Sequence, residues 1–163
     1  MKEDIQMNIL EQINKKFENF NSRKVEPQVV SEKNINQLIS FVDIELPDNY
    51  LDILRTGETY AFGVKDASVL IDLYGIHDVL CMDDNYHFFR EDVKQGVIIG
   101  SDLGDNIYYY GLGKEGLGLY IVGAGTGNYY LEAIKFAGTF TDFFVKGNGI
   151  DILDDYLNGI KRA

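Results

Sequence analysis

Two glycine-rich stretches have spacings that other proteins use to hold phosphate groups. Gly111-Leu-Gly113-Lys-Glu-Gly116 matches the G-x-G-x-x-G fingerprint of dinucleotide-binding proteins, which works only where the glycines lead from a strand into a helix. Here Leu117-Gly-Leu-Tyr-Ile-Val122 follows as another apolar, strand-like run, and the surroundings are acidic. We therefore interpret the motif as the turn of a β-hairpin.

The second stretch is Gly123-Ala-Gly125-Thr-Gly127. It lacks the Lys and the Ser or Thr that complete a P-loop, and no helical pattern follows it at once. We predict a turn or bulge between strands.

A zinc site would have to be built from His77, Cys81 and His87, together with Asp83 or Asp84. Structural zinc sites usually pair their ligands at short spacings such as C-x-x-C or H-x-x-x-H, and the spacings here match neither. We therefore expect no metal, and no motif indicates any other cofactor.

Adjacent carboxylates occur at three places, and glycoside hydrolases use pairs of carboxylates. Those enzymes need the two groups to face each other across a cleft, which neighbours in sequence do not supply. The run Ser101-Asp102-Leu-Gly104-Asp105-Asn106 has some features of a calcium loop but lacks the distal Glu of an EF-hand. We predict a strand ending in a turn there, and a protein that is not an enzyme. The adjacent pairs are Asp83 with Asp84, Glu91 with Asp92 and Asp154 with Asp155.

The charge of the chain is strongly acidic and unevenly distributed. Residues 1–40 hold 6 basic and 6 acidic residues, whereas residues 41–163 hold 9 basic and 20 acidic ones, which is the whole net charge of −11. An acidic surface repels phosphate backbones, so nucleic acid is not an expected ligand. Such a surface would attract a basic protein partner. Acidity that serves only solubility is an open alternative.

Length and composition favour one soluble domain. The chain has 163 residues and is 45% hydrophobic, enough for one core spanning residues 1–163. The single cysteine, Cys81, forms no internal disulfide, and no secretory signal or membrane span is visible. We expect a cytoplasmic protein without a membrane partner.

The spacing of apolar residues changes along the chain from helical to strand-like and back to helical. Ile5 to Phe20 predicts an amphipathic helix, and Ser31 can cap a second one. Pro47 and Gly57 mark the start and stop of a third. Ile76 to Glu91 fits loops and a short helix. Six strands are predicted, at Tyr60–Gly63, Ser68–Tyr74, Val97–Gly100, Asn106–Tyr110, Leu117–Val122 and Tyr129–Ile134.

Two helices close the chain. Thr139 can cap the first, which carries Phe140, Phe143 and Phe144 and stops at Gly147. The last helix carries apolar positions from Ile152 to Ile160. Short connections between strands favour antiparallel pairing. The fold class predicted is α+β, with N-terminal helices, a central, mainly antiparallel sheet and C-terminal helices.

Three stretches of this sequence resemble the SMI1/KNR4 group of the SUKH superfamily, many of whose bacterial members are immunity proteins. Leu46-Pro47-Asp48-Asn49-Tyr50-Leu51-Asp52-Ile53-Leu54 is similar to the family's L-P-x-x-Y-x-x-x-L helix. Val97 to Tyr109 is similar to its glycine- and aspartate-rich hairpin, and Ala137 to Phe144 to its closing helix. The resemblance implies a SUKH-like α+β fold and a protein that binds and neutralises a toxin, for which a basic, nuclease-type toxin is one candidate.

The residues chosen as partner-binding lie between positions 78 and 92, where charged and aromatic side chains cluster outside any regular core pattern. A solvated loop is the open alternative for each of them. Two other functions also stay open: a regulatory adaptor that binds a host protein, and a small-molecule-binding domain. The predicted contact residues are Asp83, Asp84, Tyr86, Glu91 and Asp92.

Overall fold

The computed structural model describes residues 9–19, 30–64, 67–85 and 87–160, with only the backbone of 19, 83–85 and 87. Helices stand at both ends of the described part of the chain and most strands lie between them, so the α+β class is confirmed. No helix in the described ranges is long and apolar enough to cross a membrane. The strands are β1 (Glu18–Asn19), β2 (Tyr60–Gly63), β3 (Leu70–Leu73), β4 (Gly96–Ser101), β5 (Asn106–Gly113), β6 (Gly116–Gly123) and β7 (Ile134–Ala137). The helices are α1 (Ile9–Ile13), α2 (Glu32–Val42), α3 (Asp48–Arg55), α4 (Ile76–Asn85), α5 (His87–Asp92), α6 (Phe140–Phe144) and α7 (Ile150–Leu157).

The described strands form one sheet in which each strand pairs antiparallel with the next along the chain. Because side chains alternate between the faces of a strand, β5 contributes to two separate cores. Tyr108 and Tyr110 belong to the larger core, and Ile107 and Tyr109 to the smaller one. The second core is the one that positions the site described below.

The larger core lies between the sheet and the helices from both ends of the chain. α2 and α3 bury one apolar face each, as predicted, although Ile39 of α2 is 43% exposed. Gly57 ends the α3 segment with a φ of 73°, a conformation that glycine adopts without strain. The residues buried by these two helices are Ile35, Leu38, Val42, Tyr50, Leu51, Ile53 and Leu54.

The long first helix predicted for Ile5 to Phe20 is wrong within the described residues. α1 ends at Ile13, and Glu18 and Asn19 pair with Gly63 and Phe62 of β2 as a strand. Phe17 is 2% exposed and its ring packs against three other aromatic rings of the core. Burial of that ring and the strand pairing outweigh the helical spacing of the apolar residues, which is a weak local preference.

The segment from Ile76 to Glu91 is more regular than expected. It forms α4 and most of α5, where loops and one short helix were predicted. Val79 and Phe89 are each 1% exposed, and they pack the two helices against the sheet. The acidic residues between these anchors belong to helices, so the segment is not an irregular loop.

The strand predicted at Tyr129 to Ile134 is also misplaced. Residues 129–133 form turns, and the strand that pairs with β6 is Ile134–Ala137. The side-chain oxygen Oδ1 of Asn128 accepts hydrogen bonds from the backbone N–H groups of Tyr130, at 3.0 Å, and Leu131, at 2.9 Å. These two N–H groups are therefore not available to pair with a neighbouring strand, because the side-chain acceptor competes with the backbone carbonyl groups of that strand.

The C-terminal helices begin and end close to the predicted residues. Thr139 caps α6, since its hydroxyl oxygen accepts a hydrogen bond from the Asp142 N–H at 3.0 Å. Gly147 follows the helix with a φ of 77°. α7 ends at Leu157, so Ile160 lies beyond it and is 56% exposed.

Candidate functional site

A cluster of aromatic rings covers the second face of the sheet. Tyr109 of β5 and Tyr120 of β6 are directly opposite in the ladder, and their rings stack with centroids 4.9 Å apart. Phe89 of α5 meets Tyr109 edge-on at 5.2 Å and Tyr129 at 5.7 Å. All four side chains are buried, so α5 and the segment around Tyr129 are held firmly against the sheet.

Hydrogen bonds fix the loop after β6 beside the end of α5. The Tyr129 N–H donates to Oδ2 of Asp92 at 2.9 Å, and the Tyr129 hydroxyl donates to the Ala124 carbonyl at 2.6 Å. The Ala124 N–H in turn donates to the Asp105 carbonyl at 2.7 Å. The Asp92 carboxylate therefore has a structural role, and it joins a loop and a helix that are distant in sequence.

An open cleft of about 410 Å³ lies between α5 and this loop; we name it the α5 cleft. One wall comes from α5, where Phe88, Glu91 and Asp92 share a helix face because they are three and four residues apart. The Phe88 side chain is 61% exposed and Glu91 is exposed. The opposite wall is formed by Ala124, Gly125, Thr126, Gly127 and Tyr129.

The chemistry of the α5 cleft is that of a site for a cation or a protein segment. Two carboxylates and two aromatic side chains line it, and none of its described lining residues is Lys, Arg, His or Cys. The Thr126 hydroxyl already accepts a hydrogen bond from the Asn128 N–H at 3.2 Å. The same hydroxyl donates to the Asn128 carbonyl at 3.4 Å and makes no described hydrogen bond to Glu91 or Asp92, so the described lining shows no nucleophile paired with a base, as covalent catalysis requires.

The structure brings two of the five predicted contact residues into this cleft. Glu91 and Asp92 line it: the Glu91 carboxylate has no hydrogen bond to a described residue, and Asp92 has one oxygen bound to the loop. Asp83 and Asp84 belong to the last turn of α4, where the structure describes the backbone alone. Tyr86 lies outside the described residues.

Sequence reasoning missed Phe88 and the glycine-rich wall. Gly123 to Gly127 was predicted as a turn between strands, and it is one, but it also forms a side of the cleft. Three glycines in five residues after a buried strand were the available signal. An ideal Cβ at Gly125 or Gly127 would meet no atom within 4 Å, so the space beside them is open.

The G-x-G-x-x-G motif is the tip of the β5–β6 hairpin, as predicted. Gly113 pairs with Gly116 across the turn, and the Tyr120 ring lies over Gly113, where an added Cβ would come within 2.8 Å of ring carbons Cε1 and Cε2. The Tyr120 hydroxyl accepts from the Glu115 N–H at 2.9 Å and donates to the Gly116 carbonyl at 2.7 Å. Burial raises the pKa of Tyr120, so the hydroxyl stays protonated as this bond requires. These glycines serve packing and turn formation.

The aspartate-rich run after β4 is a turn, as predicted. Oδ1 of Asp102 accepts hydrogen bonds from the N–H groups of Gly104, at 2.9 Å, and Asn106, at 3.0 Å, while Oδ2 accepts from the Asn106 side-chain amide at 2.8 Å. Both oxygens are thus used inside the loop. Asp102 holds the β4–β5 connection in shape.

The residues considered for zinc are spread along α4 and α5. His77 and Cys81 belong to α4, and Cys81 is exposed with a free thiol. The described side chains contain no group of three His, Cys, Asp or Glu residues that could hold a metal ion. The side chains of Asp83, Asp84 and His87 are outside that description.

Comparison of the chain with models of known protein families, and with curated proteins, finds no match.

Proposed function

We propose that this protein is a cytoplasmic immunity protein that binds a cognate toxin and neutralises it by covering the surface with which the toxin acts. The α5 cleft is the observation that carries the proposal. Its Glu91 and Phe88 side chains are exposed, and its described lining includes no basic residue. Exposed aromatic side chains are frequent anchors of protein interfaces.

The charge of the molecule supports a basic partner. The net charge is −11, and all of the excess falls after residue 40, in the part of the chain that forms strands β2 to β7 and the α5 cleft. A field of this sign speeds the approach of a basic surface and slows that of nucleic acid or an anionic membrane. A toxin that acts on nucleic acid carries a basic surface of this kind, so a nuclease-type toxin is the partner class we favour.

The resemblance to SMI1/KNR4 proteins supports the choice of a toxin as partner. In the fold its three stretches are α3 with its approach, the β4–β5 hairpin and α6 with its cap. The first and third are in contact, because the Asn49 side-chain amide donates to the Thr141 hydroxyl at 2.9 Å and the Tyr50 and Phe140 rings lie 5.6 Å apart. The first and third of the similar stretches therefore form a connected part of the molecule.

The compartment follows from the same proposal. A toxin that attacks intracellular targets must be met in the cytoplasm. The exposed free thiol of Cys81 suits a reducing compartment, where it neither pairs nor oxidises readily.

The test is capture of partners on the tagged protein from its native cells, with washes at low and at high salt, followed by identification and assay of the bound protein. We expect a basic toxin domain that is released as salt rises, whose purified activity falls to background at a one-to-one ratio, and whose toxicity the protein relieves on co-expression. Recovery of host housekeeping proteins alone would replace the proposal with the adaptor function.

A small-molecule-binding domain predicts a different result. A panel of nucleotides and sugars would then raise the melting temperature in proportion to occupancy. The immunity proposal predicts no shift with any member of that panel.

A further inference from the structure

Two asparagines of the chain are each followed by glycine and then isoleucine, in Asn148-Gly149-Ile150 and Asn158-Gly159-Ile160. In such a pair the backbone nitrogen of the glycine can attack the asparagine side chain, because glycine has no side chain to hinder the approach. We propose that Asn148 is a site of spontaneous deamidation and that the fold protects Asn158 from the same reaction. This modification needs no partner protein, so it is independent of the proposed function.

The reaction is a cyclisation followed by hydrolysis. The Gly149 nitrogen, after losing its proton to hydroxide, forms a bond to Cγ of Asn148. The bond from Cγ to Nδ2 breaks, and Nδ2 leaves as ammonia with a proton taken from water. The succinimide ring that results is opened by one water molecule. Addition of water at one carbonyl group gives aspartate, and addition at the other gives isoaspartate, in which the backbone runs through the side chain.

The structure leaves both reacting groups at Asn148 unbound. The Asn148 side chain is exposed and makes no hydrogen bond to any part of the chain that the structure describes. The Gly149 N–H likewise has no acceptor among the described residues. The Asn148 backbone is held in place, because its N–H donates to the Asp142 carbonyl at 2.9 Å. The side-chain carbon and the nitrogen that attacks it can therefore approach each other without the loss of a hydrogen bond.

Asn158 is also exposed, but both ends of its side-chain amide are bound. Its Nδ2 donates to the Asp154 carbonyl at 2.8 Å and to Oδ1 of Asp154 at 3.2 Å, and its Oδ1 accepts from the Ser68 hydroxyl at 3.1 Å. The Gly159 N–H donates to the Tyr156 carbonyl at 3.1 Å. Each hydrogen bond that must open before the attack slows the reaction by about fivefold. The same dipeptide is therefore reactive at one end of α7 and protected at the other.

The two products at position 148 differ in what they do to the fold. Gly149 has a φ of 98°, and an added Cβ there would overlap the Phe136 carbonyl oxygen of β7, so this position accepts only glycine. Isoaspartate lengthens the backbone by one carbon atom immediately before this close contact. We expect it to displace the start of α7, whose Leu153 is 0% exposed in the larger core. Aspartate leaves the backbone unchanged.

The experiment follows the full-length folded protein during incubation at neutral and at mildly alkaline pH. Samples are digested at acid pH, where deamidation is slow, and mass spectrometry measures the deamidated fraction at each asparagine. We expect position 148 to react at least about tenfold faster than position 158, because more than one hydrogen bond protects the second. The rate at position 148 should rise with pH, and isoaspartyl peptide should accompany aspartyl peptide, since both are signs of attack by the backbone nitrogen.

Two controls separate the effect of the fold from that of the local sequence. In urea the unfolded chain should deamidate at positions 148 and 158 at similar rates, because both asparagines are followed by Gly-Ile. Ser68→Ala removes one hydrogen bond to Asn158 and should raise the rate there by about fivefold, while the rate at Asn148 stays the same. Circular dichroism shows that this variant remains folded.

Equal rates at the two positions in the folded protein, or aspartate without isoaspartate at position 148, would overturn the proposal. A difference in urea as large as that in the folded protein would also overturn it, because the sequence and not the structure would then set the rates. Aged protein that carries isoaspartate at position 148 should unfold at a lower urea concentration than the Asn148→Asp variant. Equal midpoints would contradict the effect assigned to the contact between Gly149 and β7.

Discussion

Replacement of Gly113 by alanine should destabilise the protein out of proportion to the one methyl group that it adds. The new Cβ would stand within 2.8 Å of two carbons of the Tyr120 ring, which is 0% exposed and stacked against Tyr109. The ring cannot move away freely because its hydroxyl is bound to two backbone groups of the hairpin turn. Overpacking and the partial loss of these hydrogen bonds should each lower the free energy of unfolding.

The expected magnitude is about 3 kcal/mol of unfolding free energy, from about 1–3 kcal/mol for overpacking and about 1 kcal/mol for each hydrogen bond that is strained. With a urea m-value of about 2 kcal/mol/M, the midpoint of unfolding should fall by about 1.5 M. Gly123→Ala is the matched control. An added Cβ there meets nothing within 4 Å, so we expect a change below about 1 kcal/mol, in the stabilising direction.

A double-mutant cycle decides whether the ring is the cause. In the Tyr120→Leu background the side chain no longer reaches over position 113, so Gly113→Ala should cost less than half of what it costs in the natural chain. Equal costs in the two backgrounds, or a cost no larger than that of Gly123→Ala, would refute the packing argument. Urea unfolding followed by circular dichroism measures all of these values.

Two further predictions concern helix capping and alkaline stability. Thr139→Ala should lower the unfolding free energy by about 1 kcal/mol, because it removes the hydrogen bond from the Asp142 N–H. Ser31→Ala should lower it by less, since the Ser31 side chain makes no such cap bond. Equal losses of unfolding free energy in urea would contradict this prediction. Burial raises the pKa of Tyr50, Tyr108 and Tyr109, so the folded state keeps protons that the unfolded state loses above pH of about 10. Stability should therefore fall above that pH by about 4 kcal/mol per unit for the three together. A tyrosinate absorbance that reaches the full value for all 11 tyrosines while the fold persists would oppose the argument.

The elements that sequence reasoning placed well are those with local physical signals. Pro47 and Gly57 bracket α3, Thr139 and Gly147 bracket α6, and the alternation of side chains along β5 follows from the strand itself. Each of these signals depends on residues a few positions apart. They needed no knowledge of the rest of the chain.

The misplaced elements are those decided by contacts between distant residues. Phe17 has helical spacing, but its ring packs on the C-terminal rings Phe143 and Phe144, and strand pairing with β2 follows. The residues after Asn128 have high strand propensity, yet the Asn128 side chain takes two of their N–H groups. Whether such a segment forms a helix, a strand or a turn is decided by packing and by competing side-chain hydrogen bonds, and the spacing of apolar residues gives no information about either.

The candidate site was half predictable for the same reason. Charge patterning identified Glu91 and Asp92 on α5. The opposite wall was not identified, because the bond from the Tyr129 N–H to Asp92 joins positions 37 residues apart. Phe88 could not be told from a core residue by sequence, since it stands next to Phe89, which is buried.

The most direct test of a protein-binding role for the α5 cleft is site-specific photocrosslinking in the native cells. Phe88 is replaced by the photoreactive p-benzoylphenylalanine, and in a matched variant Leu112, which is 45% exposed at the other end of the sheet, is replaced by the same group. We predict that position 88 crosslinks to a basic toxin domain and that position 112 does not. Crosslinks to that partner from position 112 alone, or no protein crosslinked from position 88 while the purified toxin is still bound, would contradict the account.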